Sequence, residues 1–109
     1  MAYDEGLADR IRDQLSHHDG LVEKKMFGGI SFLLRGNMCC GVIKEDMCAR
    51  VGPERFEEYL ALPHARLMDF TKRPMKGWLY VSPEGLEDEA ELAAWVKRCE
   101  AFCLSLPAK

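Results

Sequence analysis

The chain has 109 residues, with 15 Lys and Arg against 18 Asp and Glu, for a formal net charge of −3. That balance argues against strong, sequence-independent attachment to nucleic acid, which needs a broadly basic face. A hydrophobic share of 48% and a charged share of 30% are those of an ordinary globule, and this length suits one domain over residues 1–109 with a core of its own.

The N-terminus, "MAYDEGLADRIRDQL", is charged from the start and has no apolar signal core. No apolar run approaches the ~20 residues of a membrane span. The expected setting is the cytoplasm, with no membrane contact. Five cysteines are an odd count, and in a reducing cytosol they read as free thiols rather than as a disulfide framework.

Taken in chain order, residues 4–18 predict a helix, with Leu7, Ala8, Ile11 and Leu15 at helical spacing. Asp4 is its expected N-cap and Gly20 its expected stop. From Val22 to Gly52 the period becomes two. Glu23–Phe27 is a first strand. Ile30, Phe32 and Leu34 share one face of the next. Met38–Ile43 and Met47–Val51 follow, the last with Met47, Ala49 and Val51 on one face. "RGN" (Arg35, Gly36, Asn37) is a hairpin signal, because Gly and Asn tolerate positive φ; "KED" (44–46) is a second turn.

Pro53 suits the first position of a helix carrying Phe56, Tyr59 and Leu60, ended by Pro63. "ARLMDF" (65–70) predicts a short strand, "TKRPMKG" (71–77) a basic loop, and "WLYV" (78–81) another strand. Asp88 with Glu91 resembles a capping box. Leu92, Trp95, Val96, Cys99, Phe102, Cys103 and Leu106 then form one stripe of a long amphipathic helix. The expected class is α+β: one antiparallel sheet with a meander core, and the N-terminal and long C-terminal helices packed on it.

Few residues carry a chemical signature. Gly28 and Gly29 in "MFGGISF" lack the spacing of a phosphate loop and precede a strand rather than a helix, so they predict a bulge or tight turn. Cys39 and Cys40 are strand neighbours expected on opposite faces, unsuited to one metal. Cys99 and Cys103 stand at i, i+4 but lie on the apolar stripe, where a thiol packs as a small hydrophobe. No CxxC pair occurs, and neither metal nor cofactor is expected. Cys39 or Cys48, near Arg or Lys, is the candidate reactive thiol. His17 and His18 read as a helix-end cap, and no catalytic triad signature accompanies them or His64. The basic loop with Lys72, Arg73 and Lys76, flanked by Phe70 and Trp78, joins Arg50 as the candidate interaction surface.

"KKMFGGISFLLRGNMCCGVI", "MCARVGPERFEEYL", "MDF…RPMKGWLYVSPEGL" and "LAAWVKRCEAF" together make the chain resemble the N-terminal domain of the TfoX/Sxy family over about residues 20–105. The most specific parts are Met26, Phe27, Gly28 and Gly29, and the closing aromatic strand that leads through "PEGL" to a Trp-bearing helix. The resemblance implies the fold. Its two-domain members are linked to natural competence in bacteria as transcriptional co-activators and carry a second, helical domain. This chain stops at Lys109, so the expectation is a stand-alone N-terminal domain. The resemblance implies no catalytic residues.

Three functions follow as expectations. The first is a non-enzymatic regulatory domain acting through a protein partner, with a homodimer through a sheet edge. The second is a small-molecule or thiol-redox sensor with a cleft lined by Met26, Phe27, Met38, Trp78 and Trp95. The third is weak DNA binding through the Lys72–Lys76 loop.

Overall fold

A computed structural model describes residues 3–18, 20–26, 28–67 and 77–107, with Met26 described through its backbone. Phe27, Phe70, Lys72, Arg73 and Lys76 lie outside the described residues.

Helix α1 (Glu5–Leu15) starts where the Asp4 carboxylate accepts the Leu7 N–H at 3.1 Å, and it buries Leu7, Ala8, Ile11 and Leu15. It ends earlier than the spacing predicts, with Ser16 as its C-cap. Strands β1 (Leu21–Met26), β2 (Gly29–Leu34), β3 (Asn37–Ile43) and β4 (Asp46–Arg50) then form the expected antiparallel meander. Met26 pairs with Gly29 across a two-residue connection in which Gly28 has φ +75. A Cβ on Gly29 would stand 2.2 Å from the Val42 carbonyl oxygen, so the glycine pair serves a turn and a close backbone approach.

The β2–β3 turn corrects one expectation. Arg35 and Gly36 take the positive φ angles, 55° and 84°, as a primed two-residue hairpin requires. Asn37 instead opens β3, buried, its amide donating to the Pro107 carbonyl at 2.9 Å.

A second correction falls on the cysteines. Phe32 pairs with Cys40 but Leu33 pairs with Met38, which leaves Cys39 as the extra residue of a β-bulge. A bulge breaks the strict alternation of faces. Cys39 and Cys40 therefore both join the core cluster, with Cys99 and Cys103, rather than facing apart.

Helix α2 (Phe56–Leu60) has Arg55 as its N-cap, so Pro53 lies outside the helix and not at its first position. Gly52, at φ +86, turns the chain before Pro53. Strand β5 (Ala65–Leu67) does not pair with β4. Strand β6 (Trp78–Val81) inserts between them, giving the order β1-β2-β3-β4-β6-β5, with six strands among the described residues. A 3₁₀ turn over Pro83–Gly85 leads to α3 (Glu89–Ser105), where Asp88 accepts the Ala90 N–H at 2.8 Å.

Helices α1 and α3 pack against the β3 side of the sheet and against each other. The face they cover is apolar: Ile30, Phe32, Leu34, Val42, Met47, Ala49, Leu79 and Val81 are buried there, under Trp95 and Val96 of α3. Arg10 fastens the two helices, its Nε donating to Glu89 at 2.6 Å and its Nη2 to the Leu86 carbonyl at 2.7 Å. Arg12 pairs with Asp9 and reaches across to Glu23 of β1 at 2.6 Å. The fold is the expected α+β arrangement. Among the described residues no helix is long and apolar enough to cross a membrane.

Candidate functional site: an arginine and aromatic groove

Strand β4 alternates Met47 and Ala49 into the core with Cys48 and Arg50 on the other side. Arg50, the last residue of β4, donates from Nη1 to the Met38 carbonyl at 3.2 Å. Its guanidinium carbon lies 5.5 Å from the Trp78 ring centroid and 5.4 Å from that of Phe102, so the cation sits between two aromatic faces.

Just beyond Arg50 the backbone is pinned. The Val51 and Gly52 N–H groups both donate to the Gly77 carbonyl, at 2.8 and 3.2 Å. Gly77 is also where the described chain resumes after the basic segment. A Cβ on Gly52 would meet Phe102 at 2.4 Å, and the φ of +86 disfavours any L side chain there. The chain thus turns directly beneath the Phe102 ring.

This turn forms the floor of a cleft of about 280 Å³ between α2 and α3. Arg55 and Arg98 line it, and both stack on Tyr59, at 5.6 and 5.4 Å from the ring centroid. Arg98 also lies 4.6 Å from the Trp95 centroid. Tyr59 meets Trp95 edge to face at 6.3 Å. Arg55 pairs with Glu58 at 3.4 Å, but among the described residues no carboxylate pairs with Arg50 or Arg98. Guanidinium groups stacked on rings keep their planar edges free, and those edges match a carboxylate or phosphate.

Of the candidate interaction surface, the structure brings Arg50 together with Trp78 and with Phe102, which lines this cleft, and Phe70, Lys72, Arg73 and Lys76 lie outside the described residues. Arg55, Tyr59, Arg98 and Phe102 are the members that sequence reading missed. Periodicity marked Tyr59 and Phe102 as apolar faces, and nothing local distinguished Arg55 or Arg98 from surface helix residues.

The candidate thiols sit elsewhere. Cys39 is fully buried in the core, and Cys48 is buried on the opposite side of the sheet. Burial, with the nearby Asp46 carboxylate, pushes the Cys48 thiol up to about 12. Burial likewise pushes Cys103 up to about 11, and its thiol points at the Asn37 carbonyl at 3.4 Å. Contact with Cys39 first, then burial, raises Cys40; burial raises Cys99. Each effect favours the neutral thiol over the nucleophilic thiolate.

The expected sensor cleft is not one space. Trp95 is in the core, 2% exposed, whereas Trp78 and Met38 alternate to the other side of the sheet, half-buried. They cannot line a common pocket with it. His64 takes a positive φ of 70° and packs against Gly85.

A family model described as the TfoX N-terminal domain matches residues 13–103. The chain belongs to the TfoX N-terminal domain family. The matched span contains the six described strands and the arginines and aromatic residues of the groove, with Ser105 of its lining just beyond it. No match is found among curated proteins or among solved structures.

Proposed function

We propose that this TfoX N-terminal domain is a non-enzymatic regulatory module of the cytoplasm that holds an acidic segment of a protein partner. The observation that carries this reading is the cleft in which Arg55 and Arg98 stack on Tyr59 beside Phe102, with Arg50 between Phe102 and Trp78 at its margin. Arginine and aromatic side chains clustered in a concave, partly desolvated site are the residue types that dominate binding energy at protein interfaces. Two of the three cations carry no carboxylate among the described residues, which supports an anionic occupant. In the sequence, Lys72, Arg73 and Lys76 precede Gly77, whose carbonyl holds the Val51 and Gly52 N–H groups at the groove floor. A partner in transcriptional control is the reading that the family resemblance suggests.

The test is recovery of partners from the host cytosol on wild-type protein, on Arg98→Ala and on the Lys72, Arg73 and Lys76 triple-alanine variant. The expected outcome is a protein whose affinity falls about thirtyfold in Arg98→Ala, the ~2 kcal/mol of an interface anchor, and falls with added salt. The same proteins recovered equally on all three forms would remove the groove from the function. Recovery of nucleic acid in place of protein, with a steep salt dependence, would favour DNA binding instead.

A further inference from the structure

At the end of α1 the chain continues into His17 and His18, and the third member of the cluster arrives from a distant part of the sequence. Glu100, on α3, turns its Oε2 to both rings: 2.5 Å from His18 Nε2 and 3.6 Å from His17 Nε2. The two imidazoles stand with centroids 4.1 Å apart. One donor atom from each of the three side chains lies within 4.8 Å of the others.

An ordinary ion pair accounts for only half of this. His18 and Glu100 satisfy one another, with side chains 19% and 17% exposed. His17 brings a second imidazole nitrogen toward the same carboxylate oxygen, at a distance beyond a good hydrogen bond. The His17–Glu100 separation suits two ligands of one metal ion. Donors at ~2.0–2.2 Å from a tetrahedral ion stand about 3.4 Å from one another, close to the His17–Glu100 separation. An ion would take the place of the proton shared by His18 and Glu100 and open that contact by under about 1 Å.

We infer that His17, His18 and Glu100 form a binding site for a divalent transition-metal ion of the zinc class. Two imidazole nitrogens and one carboxylate oxygen suit zinc and its borderline neighbours rather than magnesium or calcium, which take oxygen donors. Three protein ligands leave one coordination position for water or a group of a partner. The ion would join the C-terminal end of α1 to α3, so binding would stabilise the packing of the two helices.

The test is calorimetric titration of untagged protein with Zn²⁺, beside His17→Ala and Glu100→Gln. His17 is 67% exposed, so its removal leaves the His18–Glu100 contact and the fold intact. The expected result is one equivalent bound by the wild type, weakened by more than about tenfold in each variant. Co²⁺ in place of Zn²⁺ should show visible bands of nitrogen and oxygen ligation without the strong near-ultraviolet absorption of a thiolate ligand. Absence of binding to the wild type, unchanged binding in His17→Ala, or a thiolate band from the cysteines would each overturn the site.

Discussion

Gly52 shows how far one residue can shape this surface. Its φ of +86 places any L side chain in the left-handed region, and the added Cβ would overlap Phe102 at 2.4 Å. The backbone strain costs about 1–2 kcal/mol, and Phe102 would have to leave its place beside Arg50. Gly52→Ala is expected to lower the urea-unfolding free energy by roughly 2 kcal/mol and to weaken any ligand of the groove. An unchanged midpoint would show that Phe102 yields freely. The thiols make a second prediction at this scale. All five cysteines are buried, so labelling of the native protein should be slow for each and fast for all after denaturation. Cys48 is neutral in the folded chain to about 12, against 9 for an ordinary thiol. Between those values an unfolded chain has lost this proton and the folded chain keeps it, so the linked stability is present below about pH 9 and declines as pH rises toward 12. Rapid labelling of Cys39 or Cys48 in native protein would restore the sensor thiol. Arg50 was legible in the sequence as a strand-end cation before the basic segment. Arg98 was not, because its significance rests on Tyr59 and Trp95, and only one of those shares its helix.

Among the elements, α1 and α3 were the most readable, since a 3.6-residue apolar stripe and an acidic cap act locally. Asp88→Ala removes the cap that accepts the Ala90 N–H and is expected to cost about 1 kcal/mol, read as a lower melting temperature without loss of native helix content elsewhere. A loss near zero would mean that packing of α3 under Arg10 and the sheet overrides its cap. The β2–β3 hairpin was half legible. Its position followed from "RGN", but which two residues carry positive φ depends on the strand register, and the register depends on the bulge at Cys39. The same bulge undid the alternation that sent Cys39 and Cys40 apart. Pro53 misled for a related reason: a proline is well placed at a helix start, yet the preceding Gly52 turn is held by Gly77, and α2 begins later at Phe56.

For the whole molecule, the sheet order leaves β1 and β5 at its edges among the described residues. Strand β1 carries Glu23, Lys24 and Lys25, and edge lysines oppose pairing with a second copy. Strand β5 is the edge that suits the homodimer proposed from sequence, with Leu67 45% exposed. Sedimentation equilibrium should then find a dimer that Leu67→Glu dissociates; a monomer at every concentration would remove it. What local pattern settled was the α+β class, the meander, both long helices and the glycine turn, because periodicity, capping and turn chemistry are properties of neighbouring residues. What required the tertiary fold was everything built across elements: β6 inserted between β4 and β5, the cysteines gathered at the bulge, the arginines brought onto shared rings, and Glu100 carried to His17 and His18. Those contacts depend on which faces the core buries against one another, and that is decided by packing over the whole chain rather than by any one segment of it.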